Sequence, residues 1–117
     1  MLMTQCAAPP PTGPMGRPSL LAARLAAESS GLPLHEILHV RRGRHASASA
    51  RALAMYLAHV GLGEPMGRVA LDFRRHRSTV AHACRRIEEH REEHGCDGWI
   101  DGLEQRLRRA TEAGHGE

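Results

Sequence analysis

Val80, Ala83, Cys84 and Ile87 fall at i, i+3, i+4 and i+7 within RSTVAHACRRIEEHREEH. That period lays a single apolar stripe along an α-helix and leaves its other faces polar, so the segment asks for further helices to pack against. The same spacing recurs between Gly and Pro along the chain. Ser19 can cap a first helix with Leu20, Leu21 and Leu25 on one face, closed by SSG at 29–31. Pro33 opens a short second helix over Leu34, Ile37 and Leu38. Ser49 caps a third, with Leu53, Leu57 and Val60 at core spacing and Gly61 beyond its end. Pro65, at a first helical position, starts a fourth through Val69, Ala70, Leu71 and Phe73. The fifth begins near Ser78 and runs to about Glu93, and Asp97 caps a sixth carrying Trp99, Ile100, Leu103 and Leu107. Aromatics make up only 3% of the residues, which gives strands little to build on. The expected fold is all-α, a small helical bundle within a 117-residue chain.

Charge is segregated along this series. Residues 41–86 hold ten Arg against Glu64 and Asp72, whereas residues 87–117 hold four Arg against nine acids. All sixteen basic residues are Arg, which fits a GC-rich coding bias and also gives every cation a planar fork suited to phosphate and guanine edges. Cys6, Cys84 and Cys96 form no CxxC pair, so neither a disulfide framework nor a zinc ribbon is indicated and a reducing compartment fits. The chain has no 18-residue apolar run, and its start lacks a secretory pattern. A soluble, cytoplasmic protein is expected. Four Pro within residues 9–14 and Pro18 mark residues 1–18 as a disordered, Pro-rich arm ahead of a domain over 19–112, with 113–117 a flexible tail.

The polarity of RRHRSTVAHACRRIEEH, residues 74–90, points to a partner. If Ser78 and Thr79 open the fifth helix, their hydroxyls and the free N–H groups of that turn make an anion site, with Arg74, Arg75, His76 and Arg77 just before it. The fourth helix, a tight turn and the fifth then form a helix-turn-helix whose second helix offers His76, Arg77 and Ser78 to a major groove. Arg85 and Arg86, about two turns on, can reach a flanking phosphate, and His82 either faces a phosphate or fills the surface. The Glu run from Glu88 must lie clear of the duplex. HVRRGRHASAS, residues 39–49, reads as a basic loop whose Arg41, Arg42 and Arg44 suit an A/T-rich minor groove.

RRGR at 41–44, RALAMYLA at 51–58 and STVAHACRRIE at 78–88 resemble, in order, the C-terminal DNA-binding domain of the bacterial replication initiator DnaA. The resemblance runs over about residues 19–110. It implies a helical, Trp-repressor-like helix-turn-helix domain that reads double-stranded DNA through both grooves. By position, Arg42 resembles the loop Arg that enters the minor groove, with Arg44 its neighbour, and Arg51 resembles an Arg that contacts the DNA backbone. Ser78 and Thr79 match the paired Thr that open the recognition helix. The chain also departs from the family pattern GGRDHTTV, having FRRHRSTV with one residue fewer after Phe73. An Asp able to accept from cytosine is replaced by groups that favour guanine or phosphate. No GxxxxGK[ST] occurs in these residues, so DNA binding without ATPase activity is expected.

HEILH, residues 35–39, satisfies the zinc-protease pattern HExxH, but Pro33 and the basic loop confine it to about two turns and no third ligand follows. His90, His94 and Cys96 could gather at a helix end. The reading remains a non-enzymatic, sequence-preferring DNA-binding regulator of transcription or replication, with no cofactor, no metal and no membrane, and a monomer as the expected state. The rival is a helical protein-interaction module that docks a partner through the acidic sixth helix and Trp99.

Overall fold

The structure, a computed structural model, describes residues 16–38, 45–95 and 97–115. Six α-helices follow in order: α1 Arg17–Ser30, α2 Leu34–Leu38, α3 His45–Tyr56, α4 Met66–Phe73, α5 Arg77–His94 and α6 Asp97–His115. A π-helical turn, Leu57–Gly61, continues α3. No strand occurs among the described residues, and the all-α expectation holds.

Helix α3 is the centre, flanked by α1 and α5, with α4 against α5 and α6 closing over the π turn and α1. Fully buried Ala22, Ala23 and Ala26 leave α1 almost without side-chain thickness, so its backbone approaches α3 closely. Leu53, Tyr56 and Leu57 then meet Val69 and Phe73 from α4, Val80 from α5, and Ile100, Leu103 and Leu107 from α6 in one core. Burying each large aliphatic side chain contributes about 1.5–3 kcal/mol.

The helix starts differ from the sequence expectation. Pro18 tolerates the first turn, so α1 starts at Arg17, inside the stretch expected as arm, and Ser19 lies within the helix rather than capping it. Fully buried, Ser19 donates its hydroxyl to Asp72 Oδ2 at 2.6 Å, while Asp72 Oδ1 accepts the Gly16 N–H at 3.2 Å. An aspartate on α4 thus takes the capping role. Helix α3 likewise begins at His45, so HASAS is helical and Ser49 is not its cap. Ser47 there donates to Glu36 Oε1 at 3.0 Å, a tertiary partner that Ala-rich sequence alone does not announce. Pro65 is the N-cap of α4 rather than its first residue.

Among the described residues, three large apolar side chains are exposed: Val60 at 40%, Leu71 at 65% and Trp99 at 53%. The wider π turn explains Val60, because it rotates the residues after Leu57 out of the helical register. Its last residue, Gly61, faces α6, where a Cβ would meet Glu104 Cγ at 3.4 Å.

Burial and the Glu88 carboxylate push the Cys84 thiol up to about 11. The thiolate fraction at pH 8 is then roughly 100-fold below that of an ordinary thiol. In a Cys6→Ser, Cys96→Ser background, iodoacetamide should modify Cys84 more slowly than the same protein in urea by about that factor. Equal rates would mean that the α5 seam is open.

Candidate nucleic-acid interface

Helix α4 ends in a tight double-bonded turn. The Arg74 N–H bonds to Leu71 O at 3.2 Å and the Arg75 N–H to Ala70 O at 2.9 Å, a Schellman pattern with Arg74 left-handed at φ 57°. Extended His76 then caps α5, and its carbonyl accepts the N–H groups of Thr79 at 3.0 Å and Val80 at 3.1 Å. Arg77 and Ser78 stand ahead of any helical acceptor, so their N–H groups point out of the end of the helix. Three residues therefore join two helices whose apolar stripes share one core, the local form of a helix-turn-helix.

Along α5 the two faces separate cleanly. Val80, Ala83 and Cys84 are buried, while His76, Arg77, Ser78, Thr79, His82, Arg85 and Arg86 are exposed. Ser78, His82, Arg85 and Glu89 succeed one another at i, i+4, i+7 and i+11 on the solvent side, so the change from cation to acid occurs on one surface about 16 Å from Ser78. Arg74 is exposed and Arg75 half-buried beside this end. A hollow of about 690 Å³ opens there, lined in part by Gly67, Leu71, Arg74, His76 and Arg77. Gly67 and Leu71, at i and i+4, lie off the stripe formed by Val69 and Phe73, so Leu71, expected with the apolar residues of the fourth helix, faces this hollow instead.

Arg51 lies elsewhere. It is only 7% exposed, donating Nε to Ile37 O at 2.8 Å and Nη2 to Glu36 O at 3.3 Å. Burial, and then the charge of Arg75, lower its pKa, but the guanidinium remains a cation. The Arg51 guanidinium, expected at the DNA backbone, here lies against the last carbonyls of α2 and ties α3 to α2 across the segment expected as the basic loop. Arg41, Arg42 and Arg44 of that loop lie outside the described residues.

Only part of the HEILH segment is described. Helix α2 is five residues long and Glu36 is engaged by Ser47, while His39 lies outside the described residues. No group of three His, Cys, Asp or Glu able to hold a metal ion occurs among the described residues. Cys96 and the His94 side chain fall outside them.

The left-handed Arg74 makes one substitution informative. Arg74→Gly relieves a strain of about 1–2 kcal/mol and adds about 0.5–1 kcal/mol of unfolded-state entropy. The variant should melt a few degrees higher while binding DNA more weakly at low salt. A lower melting temperature would show that the Arg74 side chain stabilises the turn.

The model of the bacterial DnaA protein helix-turn-helix matches residues 23–87, more than half of the chain. The match runs from the buried alanines of α1 to the last apolar residue of the α5 seam. No curated protein and no solved structure matches the chain. With the three-residue turn, the exposed cationic start of α5 and this match in register, the chain belongs to the bacterial DnaA helix-turn-helix family of DNA-binding domains.

Proposed function

We propose that this protein binds double-stranded DNA with sequence preference and regulates transcription or replication initiation without ATPase activity. The observation that supports this best is the start of α5, where His76, Arg77, Ser78 and Thr79 stand exposed ahead of the buried Val80. In this reading His76, Arg77 and Ser78 meet base edges, Thr79 and Arg74 hold phosphate, and His82 and Arg85 follow the flanking strand, while Arg86, first expected there, lines a hollow toward α3 and α6 instead. Arg75 supports that surface from its half-buried position. Arg41, Arg42 and Arg44 enter the adjoining minor groove, and Arg51 positions their loop. The DNA-binding unit is residues 19–112, to which the described helices add Arg17, Pro18 and residues 113–115. The protein acts as a monomer on the nucleoid; no helix of the described residues is long and apolar enough to cross a membrane.

Selection from a random duplex pool at near-physiological salt tests this directly. An enriched motif is expected, with Arg77→Ala and Ser78→Ala changing its core and Arg42→Ala affecting mainly its A/T-rich flank. Binding without enrichment would reduce the function to nonspecific DNA coating. The exposed indole of Trp99 favours one second reading, docking of a protein partner on α6, which the absence of any DNA binding would make the leading one.

A further inference from the structure

A second hollow, of about 420 Å³, opens between α3, α5 and α6, away from the α5 N-terminus. Buried Leu53 and Ile100 form part of its lining, and the exposed ring of Trp99 stands at its edge. Short side chains on α3, Ala52 among them, leave the space open. Arg86 and His90, one helical turn apart on α5, bring the polar groups. Arg86 makes no ion pair with a described residue.

Size and chemistry restrict the occupant. The volume lies in the lower part of the range for small-molecule sites, about 300–1,000 Å³. A docked helix would need a row of apolar pockets at helical spacing, and this is one half-open hollow with a single aromatic at its edge. Apolar walls beside a cation and an imidazole call for an apolar body with one negative end. An indole face adds a preference for a planar ring. We propose that this hollow binds a small aromatic anion, a ring carboxylate or its sulfonate equivalent, stacked on Trp99 with its charge at Arg86 and His90. Because the ligand touches α3, α5 and α6 together, its binding stabilises the packing of all three.

The test uses the full chain and 8-anilinonaphthalene-1-sulfonate, with uncharged N-phenyl-1-naphthylamine as the matched neutral probe. Trp99 is the only tryptophan, so its emission reports occupancy at this place alone. The expected result is saturable binding at one equivalent, with a dissociation constant on the order of tens of micromolar. Affinity should fall about tenfold for the neutral probe and about tenfold for the anion with Arg86→Gln. Ala52→Leu, which fills the space, should abolish binding while the circular-dichroism melt stays cooperative. Equal affinity for both probes, indifference to Arg86→Gln, or no saturation would overturn the proposal. So would doubling of the mass in sedimentation equilibrium with loss of probe binding, which would make a second copy the occupant.

Discussion

Arg91→Met is expected to be the most destabilising single substitution of a polar residue in this fold, at about 3 kcal/mol. The Arg91 side chain, only 16% exposed, joins three helices. Its Nη1 donates to the Tyr56 hydroxyl at 2.7 Å and lies 3.5 Å from Glu104 Oε2, and its Nε donates to Asp97 Oδ1 at 2.7 Å. The guanidinium carbon also sits 5.9 Å from the centre of the Tyr56 ring. Burial alone would lower the Arg91 pKa, but the hydrogen bonds and charges of Tyr56 and Asp97 outweigh it and hold it above the usual arginine value. The arm to Asp97 is worth little, because that carboxylate is 70% exposed. The arm to Glu104 decides the magnitude, since its side chain is 7% exposed and loses its counter-charge. A melting temperature lower by roughly 12 °C or more follows. Adding Glu104→Gln should recover part of the loss, whereas Asp97→Ala alone should cost under about 1 kcal/mol. A loss no greater for Arg91→Met than for Asp97→Ala would mean that the buried arm contributes nothing.

DNA affinity should fall roughly tenfold when salt rises from 50 to 200 mM through the α4–α5 surface alone. Arg74 and Arg85 are exposed there as phosphate contacts, and each phosphate neutralised contributes about −0.9 to the slope of log K against log salt. Two such contacts give a slope of about −1.8, and contacts from residues 41–44 would steepen it. Charge removal then separates two kinds of residue. Arg85→Ala should reduce the slope by about 0.9 equally on selected and random duplexes, while Ser78→Ala should leave the slope alone and weaken only the selected site. Fluorescence anisotropy over a salt series measures both. A slope near zero would remove phosphate contact from the account, and equal losses on both duplexes for Ser78→Ala would remove base reading.

Much of this site is legible in the residues. The stripe of Val80, Ala83 and Cys84 forces Ser78, His82 and Arg85 to the other side of α5, because a helix with one apolar seam has only one way to face its core. The turn before it is legible only in part. Arg74 is not a residue that advertises a left-handed cap, and its role emerges from the carbonyls of Ala70 and Leu71 that the turn must satisfy. The burial of Arg51 was not legible at all. In sequence it is one more cation in a basic stretch, yet the carbonyls at the end of α2 draw it inside.

Ser19, Ser49 and Pro65 show why helix starts were less legible than helix faces. A cap is a hydrogen bond, and the donor or acceptor that completes it can come from another helix, as Asp72 does for the start of α1. The hydrophobic period, by contrast, is a property of each segment alone. The sequence by itself therefore determined the helical class, the order of the helices, the apolar seam of the fifth and its cationic start. Only the tertiary structure decided which arginines point outward, which carboxylates are buried with them, and where Trp99 and Leu71 remain uncovered. Those outcomes depend on partners from distant segments, and no periodicity within a segment encodes them.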